Sequence, residues 1–112
     1  LINKKIKYKF KNKKIKILIL GYTFKENCSD IRNTKVQDIY EYFNKKKHEV
    51  HIYDPWINFD LKDVMQVKKL NKNYYDCVII AVKHDYFIKF GKKKILSYAK
   101  NKNVFYDIKK IF

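Results

Sequence analysis

Glycine and proline are almost missing from this chain. Its 112 residues hold two glycines, Gly21 and Gly91, and one proline, Pro55. That is too little to mark a linker, and no internal repeat divides the sequence, so one domain is expected. The scarcity also removes the GxGxxG turn whose amides hold a pyrophosphate after a first strand, because Gly21 stands alone. Cysteine is nearly as rare. Cys28 and Cys77 lie far apart without CxxC spacing, which excludes a zinc knuckle, argues against a disulfide framework and suits a reducing cytoplasm. No apolar run approaches the length needed to cross a bilayer, so no membrane partner is expected. The basic first residues are not followed by an apolar stretch and a small-residue cleavage site, so they do not read as a signal peptide. The opening on Leu1 rather than Met reads as the start of a fragment.

Acid and arginine are also in short supply. Lysine and arginine total 27 against 11 Asp and Glu, a formal net charge of +16, yet Arg32 is the sole arginine. A field of this sign draws polyanions, which would suit a basic nucleic-acid-binding α/β domain. Phosphate readers, however, favour the planar arginine fork. The lysines here are scattered among Asn, Ile, Tyr and Phe, the residues of A/T-rich codons. Compositional drift is therefore the preferred reading, with dedicated nucleic-acid binding as its alternative.

What is present is enough for a core, with 46% hydrophobic and 17% aromatic residues. Residues 1–14 alternate lysine with apolar groups and read as a lead-in without regular structure. Ile15–Leu20 is a near-continuous aliphatic run, the pattern of a strand buried on both faces. From Thr34 the period changes: Val36, Ile39, Tyr40 and Phe43 form one helical stripe, with Thr34 and Gln37 as a capping box. Glu49–Asp54 reads as a second strand ended by Pro55. Trp56–Met65 is ambiguous, and Gln66–Leu70 reads as a short edge strand. Tyr75–Val82 is a further strand, His84–Tyr98 two helical pieces broken at Gly91, and Val104–Ile108 a last strand. Strands alternating with helices give an α/β class, a three-layer Rossmann-like sandwich with a mostly parallel sheet of about five strands.

In such sheets ligands bind where a strand ends and its loop feeds a helix. Here that place is the polar stretch from Gly21 to Thr34. Without a glycine fingerprint, a phosphate there must be met by side chains and the helix start, and Lys25 and Arg32 are placed for it. Arg32 has an alternative partner in Asp30 or Glu26, and Phe24 reads equally as core. Cys28 reads as a packing residue and Cys77 as an inert strand residue. Asp54 with Pro55 reads as a turn-fixing pair, His84–Asp85 as a solvated cap, and His48 and His51 as surface positions.

The strings GYTFKENCSDIRNTKVQDI, VHIYDPW, YDCVIIAVKHDYF and VFYDIKKIF resemble the C-terminal, UDP-binding domain of the UDP-glucose/GDP-mannose dehydrogenase family. Within it they are most similar to bacterial members that oxidise UDP-N-acetylhexosamines for capsule or O-antigen synthesis. The resemblance runs from Ile15 onward, so residues 15–112 are expected to be the UDP-sugar-binding domain. It leaves out the family's N-terminal NAD-binding domain and its central region with the catalytic cysteine. It implies NAD-dependent oxidation of a sugar C6 hydroxyl to a carboxylate through a thioester, with NAD bound mainly by the N-terminal domain. It implies that Phe24, Lys25 and Lys109 contact the UDP-sugar and that Arg32 reaches the NAD pyrophosphate. Lys109 stands where many relatives carry arginine. The implied partners are the UDP-sugar, the chain's own N-terminal and central domains, and a second copy in a homodimer. The lone chain would then be inactive. A non-catalytic assembly domain, presenting aromatics such as Trp56 or Tyr42, is the remaining alternative.

Overall fold

The computed structural model of the chain describes residues 2–11, 13–32 and 34–112. Its centre is β1 (Lys16–Leu20). Successive side chains of a strand point to opposite faces, and Ile17 and Ile19 enter one core while Leu18 and Leu20 enter another. The aliphatic run therefore demands cover on both sides. Around β1 stand β2 (Glu49–Tyr53), β3 (Tyr75–Ile80) and β4 (Ala99–Asp107), in the order β2-β1-β3-β4. Every neighbouring pair is parallel.

Two helices, α1 (Ile2–Phe10) and α2 (Val36–Lys45), cover the face of Ile17 and Ile19. Two short ones, α3 (Asp85–Phe90) and α4 (Lys92–Leu96), cover the face of Leu18 and Leu20 through Phe87 and Ile95. The expected three-layer α/β sandwich is what forms. Among the described residues the sheet has four strands rather than about five. The expected edge strand at Gln66–Leu70 is reduced to one parallel bridge, Ile52 to Gln66. The Gln66 side chain is spent on the preceding loop, accepting from the Leu61 amide at 2.9 Å and donating to the Phe59 carbonyl at 3.2 Å. Lys68 and Lys69 then turn to solvent.

The lead-in is also corrected: it forms α1. Ile2, Ile6 and Phe10 recur at helical spacing, and Ile6 and Phe10 are buried in the first core while lysines occupy the outer face. Lys9 Nζ ties the helix to β4 by donating to the Asn103 carbonyl at 2.6 Å. Leu1 and Asn12 of that lead-in, and Asn33 further on, lie outside the described residues. α2 begins at Val36 rather than Thr34, and Thr34 Oγ1 accepts the Val36 amide at 3.1 Å. Gln37 turns to Glu41 instead of back to Thr34, so the capping box is only half formed. β4 starts at Ala99, five positions earlier than Val104, as an edge strand whose polar first half pairs only with β3.

His48 and His51 are half-buried, not surface groups. His48 Nδ1 accepts the Ile15 amide at 3.1 Å. His51 Nδ1 meets the Tyr75 hydroxyl at 2.8 Å, its Nε2 donates to Glu49 at 3.1 Å, and its ring packs on Tyr74 and Tyr75. Burial lowers the pKa of both below the ordinary 6.5, outweighing the Glu49 carboxylate beside His51.

Two expectations follow. Ile6→Ala leaves a cavity between α1 and the sheet and should cost about 2–5 kcal/mol of unfolding free energy in urea; an unchanged midpoint would mean that α1 is not part of the core. The folded chain favours neutral His48 and His51, so the unfolded chain takes up more protons below about pH 6.5. Their contribution is whole above that value and is lost as the pH falls through it. Thermal melts should show a lower Tm at about pH 5.5 than at about pH 7.5, with the dependence flattened in His48→Gln/His51→Gln.

Candidate functional site

The site grows from the sheet order. After β1 the chain leaves through α2 on one face, and after β3 through α3 on the other. Since β1 and β3 are neighbours, their carboxyl ends enclose the crevice at which such sheets bind ligands. Gly21 closes β1 with φ +99°, its amide donating to the Tyr53 carbonyl at 2.9 Å. A Cβ there would stand 2.6 Å from Val82 Cβ and 2.9 Å from the Val82 amide nitrogen, so only glycine lets the two strand ends meet.

A buried polar knot ties this end together. As expected, Asp54 fixes its turn, Oδ1 accepting the Trp56 amide at 2.9 Å. It also does more. Oδ2 accepts the Tyr22 amide at 2.7 Å and the Thr23 amide at 3.2 Å, and lies 3.0 Å from His84 Nε2. His84 is 0% exposed, which corrects its reading as a solvated cap. Its place beside Lys83 and Asp85 suggests the surface, but it lies four residues past the end of β3 and turns under the loop after β1. Its Nδ1 accepts the Asn27 amide at 2.9 Å, and its Nε2 stands 3.2 Å from Thr23 Oγ1. Asp85 is exposed, and its amide donates to Asn27 Oδ1 at 2.9 Å.

On this knot rests the loop 23–30. Thr23 Oγ1 donates to the Lys25 carbonyl at 2.8 Å, and the Phe24 amide to the Asp30 carbonyl at 2.6 Å. Between the loop, the end of β3 and the start of α2 opens a cleft of about 170 Å³. Ala81 and Val82 form its floor, Phe24, Lys25 and Glu26 one wall, Lys35 and Val36 another, and Lys109 reaches it from beyond β4. A turn holds Lys109: the Lys110 amide donates to the Asp107 carbonyl at 3.2 Å, and the Phe112 amide to Asp107 Oδ2 at 2.8 Å. Asp107 Oδ1 is buried without a hydrogen-bond partner among the described residues.

The structure thus brings Phe24, Lys25 and Lys109 to one cleft. Arg32 does not line it. Its side chain is 85% exposed and grips Asp30 by both carboxylate oxygens, Nε to Oδ1 and Nη2 to Oδ2, each at 3.0 Å. That bidentate contact holds the Asp30 carboxyl below its usual range and raises the guanidinium pKa. The sequence reading did not assign the other lining residues to a site, Thr23 and Lys35 among them. Lys35 carried a usable signal, since it directly precedes a helix, where an anion is favoured.

Chemically, the lining presents three ammonium groups against one carboxylate, over an apolar floor and beside the half-exposed Phe24 ring. That suits a multiply charged anion with an unsaturated ring. Neither thiol joins it. Cys28 is partly exposed, its Sγ 3.5 Å from the Lys25 carbonyl outside the cleft lining. Cys77 is sealed within β3, where burial pushes its thiol up to about 12. The cleft is equipped to bind.

The family model for the UDP-glucose/GDP-mannose dehydrogenase family, UDP binding domain, matches residues 18–112. The chain is 39% identical over 97 residues to the UDP-N-acetyl-D-glucosamine 6-dehydrogenase of Salmonella typhi, covering 83% of this chain and 23% of that protein. It is 37% identical over 100 residues to the enzyme of the same name from Pseudomonas aeruginosa, covering 84% and 23%. It therefore spans about a quarter of the length of the curated relatives it matches. Its fold is similar to that of UDP-D-ManNAc dehydrogenase from Pyrococcus horikoshii, with a TM-score of 0.69 at 20% identity, over 96% of this chain and 29% of that one.

Gly21→Ala tests the closure of the cleft floor. It combines a left-handed backbone penalty of about 1–2 kcal/mol with overpacking against Val82 of about 1–3 kcal/mol. Urea unfolding should register a loss of about 2–5 kcal/mol; a neutral result would show that β1 and β3 do not meet as described.

Proposed function

The chain belongs to the UDP-glucose/GDP-mannose dehydrogenase family, and on that premise we propose that its cleft holds the UDP portion of a UDP-sugar for an NAD-dependent 6-dehydrogenase. The carrying observation is that the neighbours Phe24 and Lys25 and the sequence-distant Lys109 line one cationic cleft at the sheet's switch point. Lys25 and Lys109 would meet the diphosphate with charge-assisted hydrogen bonds, Lys35 would add to the field, and Phe24 would lie against the base or sugar. Lysines supply point charges where an arginine would fix geometry, so the diphosphate is held by field and number of contacts.

The reaction assigned to the whole enzyme is oxidation of the sugar C6 hydroxyl to a carboxylate, in cytoplasmic polysaccharide biosynthesis and in a homodimer. NAD supplies the hydride acceptor for that chemistry. The residues described here do not form its cradle. The space beside Gly21 is filled by Val82, and the Tyr22 and Thr23 amides are spent on Asp54. Arg32 lies outside the cleft and would reach a cofactor pyrophosphate only by leaving Asp30. The role of this chain is therefore to bind and orient the nucleotide, with NAD and the thiol nucleophile carried elsewhere in the enzyme.

Isothermal titration of the chain with UDP should give saturable binding. Lys25→Ala should weaken it about tenfold, the size of one lost charge-assisted hydrogen bond. No heat at about millimolar UDP, from protein that circular dichroism shows to be folded, would overturn the proposal. A duplex DNA titration at low salt separates the nucleic-acid alternative, which predicts a steep salt dependence insensitive to Lys25→Ala.

A further inference from the structure

We infer that His84 is a positioning residue that sets the Lys25 loop of the cleft, an inference resting on the reading of that cleft as a UDP site. His84 lines no part of the cleft and is wholly buried. Its two ring nitrogens nevertheless have distinct duties. Nδ1 accepts the Asn27 amide at 2.9 Å, so the ring proton sits on Nε2. That proton is directed at Asp54 Oδ2, 3.0 Å away, with Thr23 Oγ1 at 3.2 Å. The Thr23 hydroxyl in turn donates to the Lys25 carbonyl at 2.8 Å. The backbone on both sides of Glu26 is thus tied to one imidazole, directly at Asn27 and through Thr23 at Lys25.

Asn27 is the exposed end of this chain of contacts. It adopts φ +55°, a left-handed conformation that a non-glycine residue holds only when its surroundings enforce it. Its amide goes to His84 and its side-chain oxygen accepts the Asp85 amide, so both clamps come from the segment that follows β3. Asp54 selects the tautomer, the tautomer leaves Nδ1 free to accept, and the acceptor fixes Asn27. A loop ordered in advance binds its ligand without the cost of ordering it at that moment.

The two duties can be separated. An asparagine side chain places its amide near the position of Nδ1 and can still accept from Asn27. A glutamine reaches the position of Nε2 and can still donate to Asp54. His84→Asn should therefore bind UDP within about twofold of the wild type, and His84→Gln about tenfold more weakly, the loss expected for one buried acceptor. Amide hydrogen exchange without ligand should show Asn27 protected in the wild type and in His84→Asn but not in His84→Gln. Affinity that follows Tm alone in both variants, or Asn27 protection kept in His84→Gln, overturns the inference. The wild-type imidazole nitrogen shifts guard against a variant that does not fold: a proton on Nδ1 overturns it outright. If the wild type fails to bind UDP while Asn27 exchange behaves as stated, the functional reading falls and the positioning of the loop by His84 stands.

Discussion

One carboxylate governs the working end of this sheet. Asp54 is 5% exposed, and a charge removed from water survives only if its oxygens are filled with donors. It draws in the amides of Tyr22, Thr23 and Trp56 and the imidazole of His84. Those groups belong to the segments after β1, β2 and β3, so a single buried anion binds three strand ends together. Removing it would leave buried amides and a ring nitrogen without partners, each costing about 1–3 kcal/mol.

The same constraint explains how the cleft must treat phosphate. In a glycine-rich turn the amides after the first strand point outward to a ligand. Here the corresponding amides point inward to Asp54, and Val82 fills the space that further glycines would leave open. Recognition passes to side chains, and lysines drawn from three separate segments converge where a cradle of backbone would otherwise sit. The exposed Asp30–Arg32 pair braces the far end of the loop, next to the amide contact between Phe24 and Asp30.

Much of this was readable from residue order, and the failures share a cause. Strands β1 and β3 announce themselves because they are buried on both faces and need no alternation. Gly21, standing where an aliphatic run turns polar, marks the switch point. Lys25 and Phe24 follow from that place, and Lys109 from the resemblance of its neighbourhood. His84 reads as a surface group because its burial comes from Thr23 and Asn27, far away in sequence, while its neighbours Lys83 and Asp85 are exposed. α1 is masked in the sequence because lysines outnumber the three apolar residues of its stripe, though their spacing is helical. The first half of β4 leaves no sequence signal because an edge strand has only one neighbour and little to bury, so AKNKN carries no apolar alternation. Local pattern reveals what an element buries. It does not reveal which distant segment will bury a polar residue.

The all-parallel order of the sheet has a consequence for how the chain is made. Among the described residues no strand pairs with its successor through a tight hairpin, and β1, one of the two inner strands, must wait for both β2 and β3. Non-local pairing of this kind slows folding, because loop closure is spent before contacts reward it. A nascent chain will thus carry a bare, sticky aliphatic segment until β3 has followed it out of the ribosome. The dense lysine around that segment then acquires a use unrelated to any ligand, as mutual repulsion that keeps unfinished copies apart.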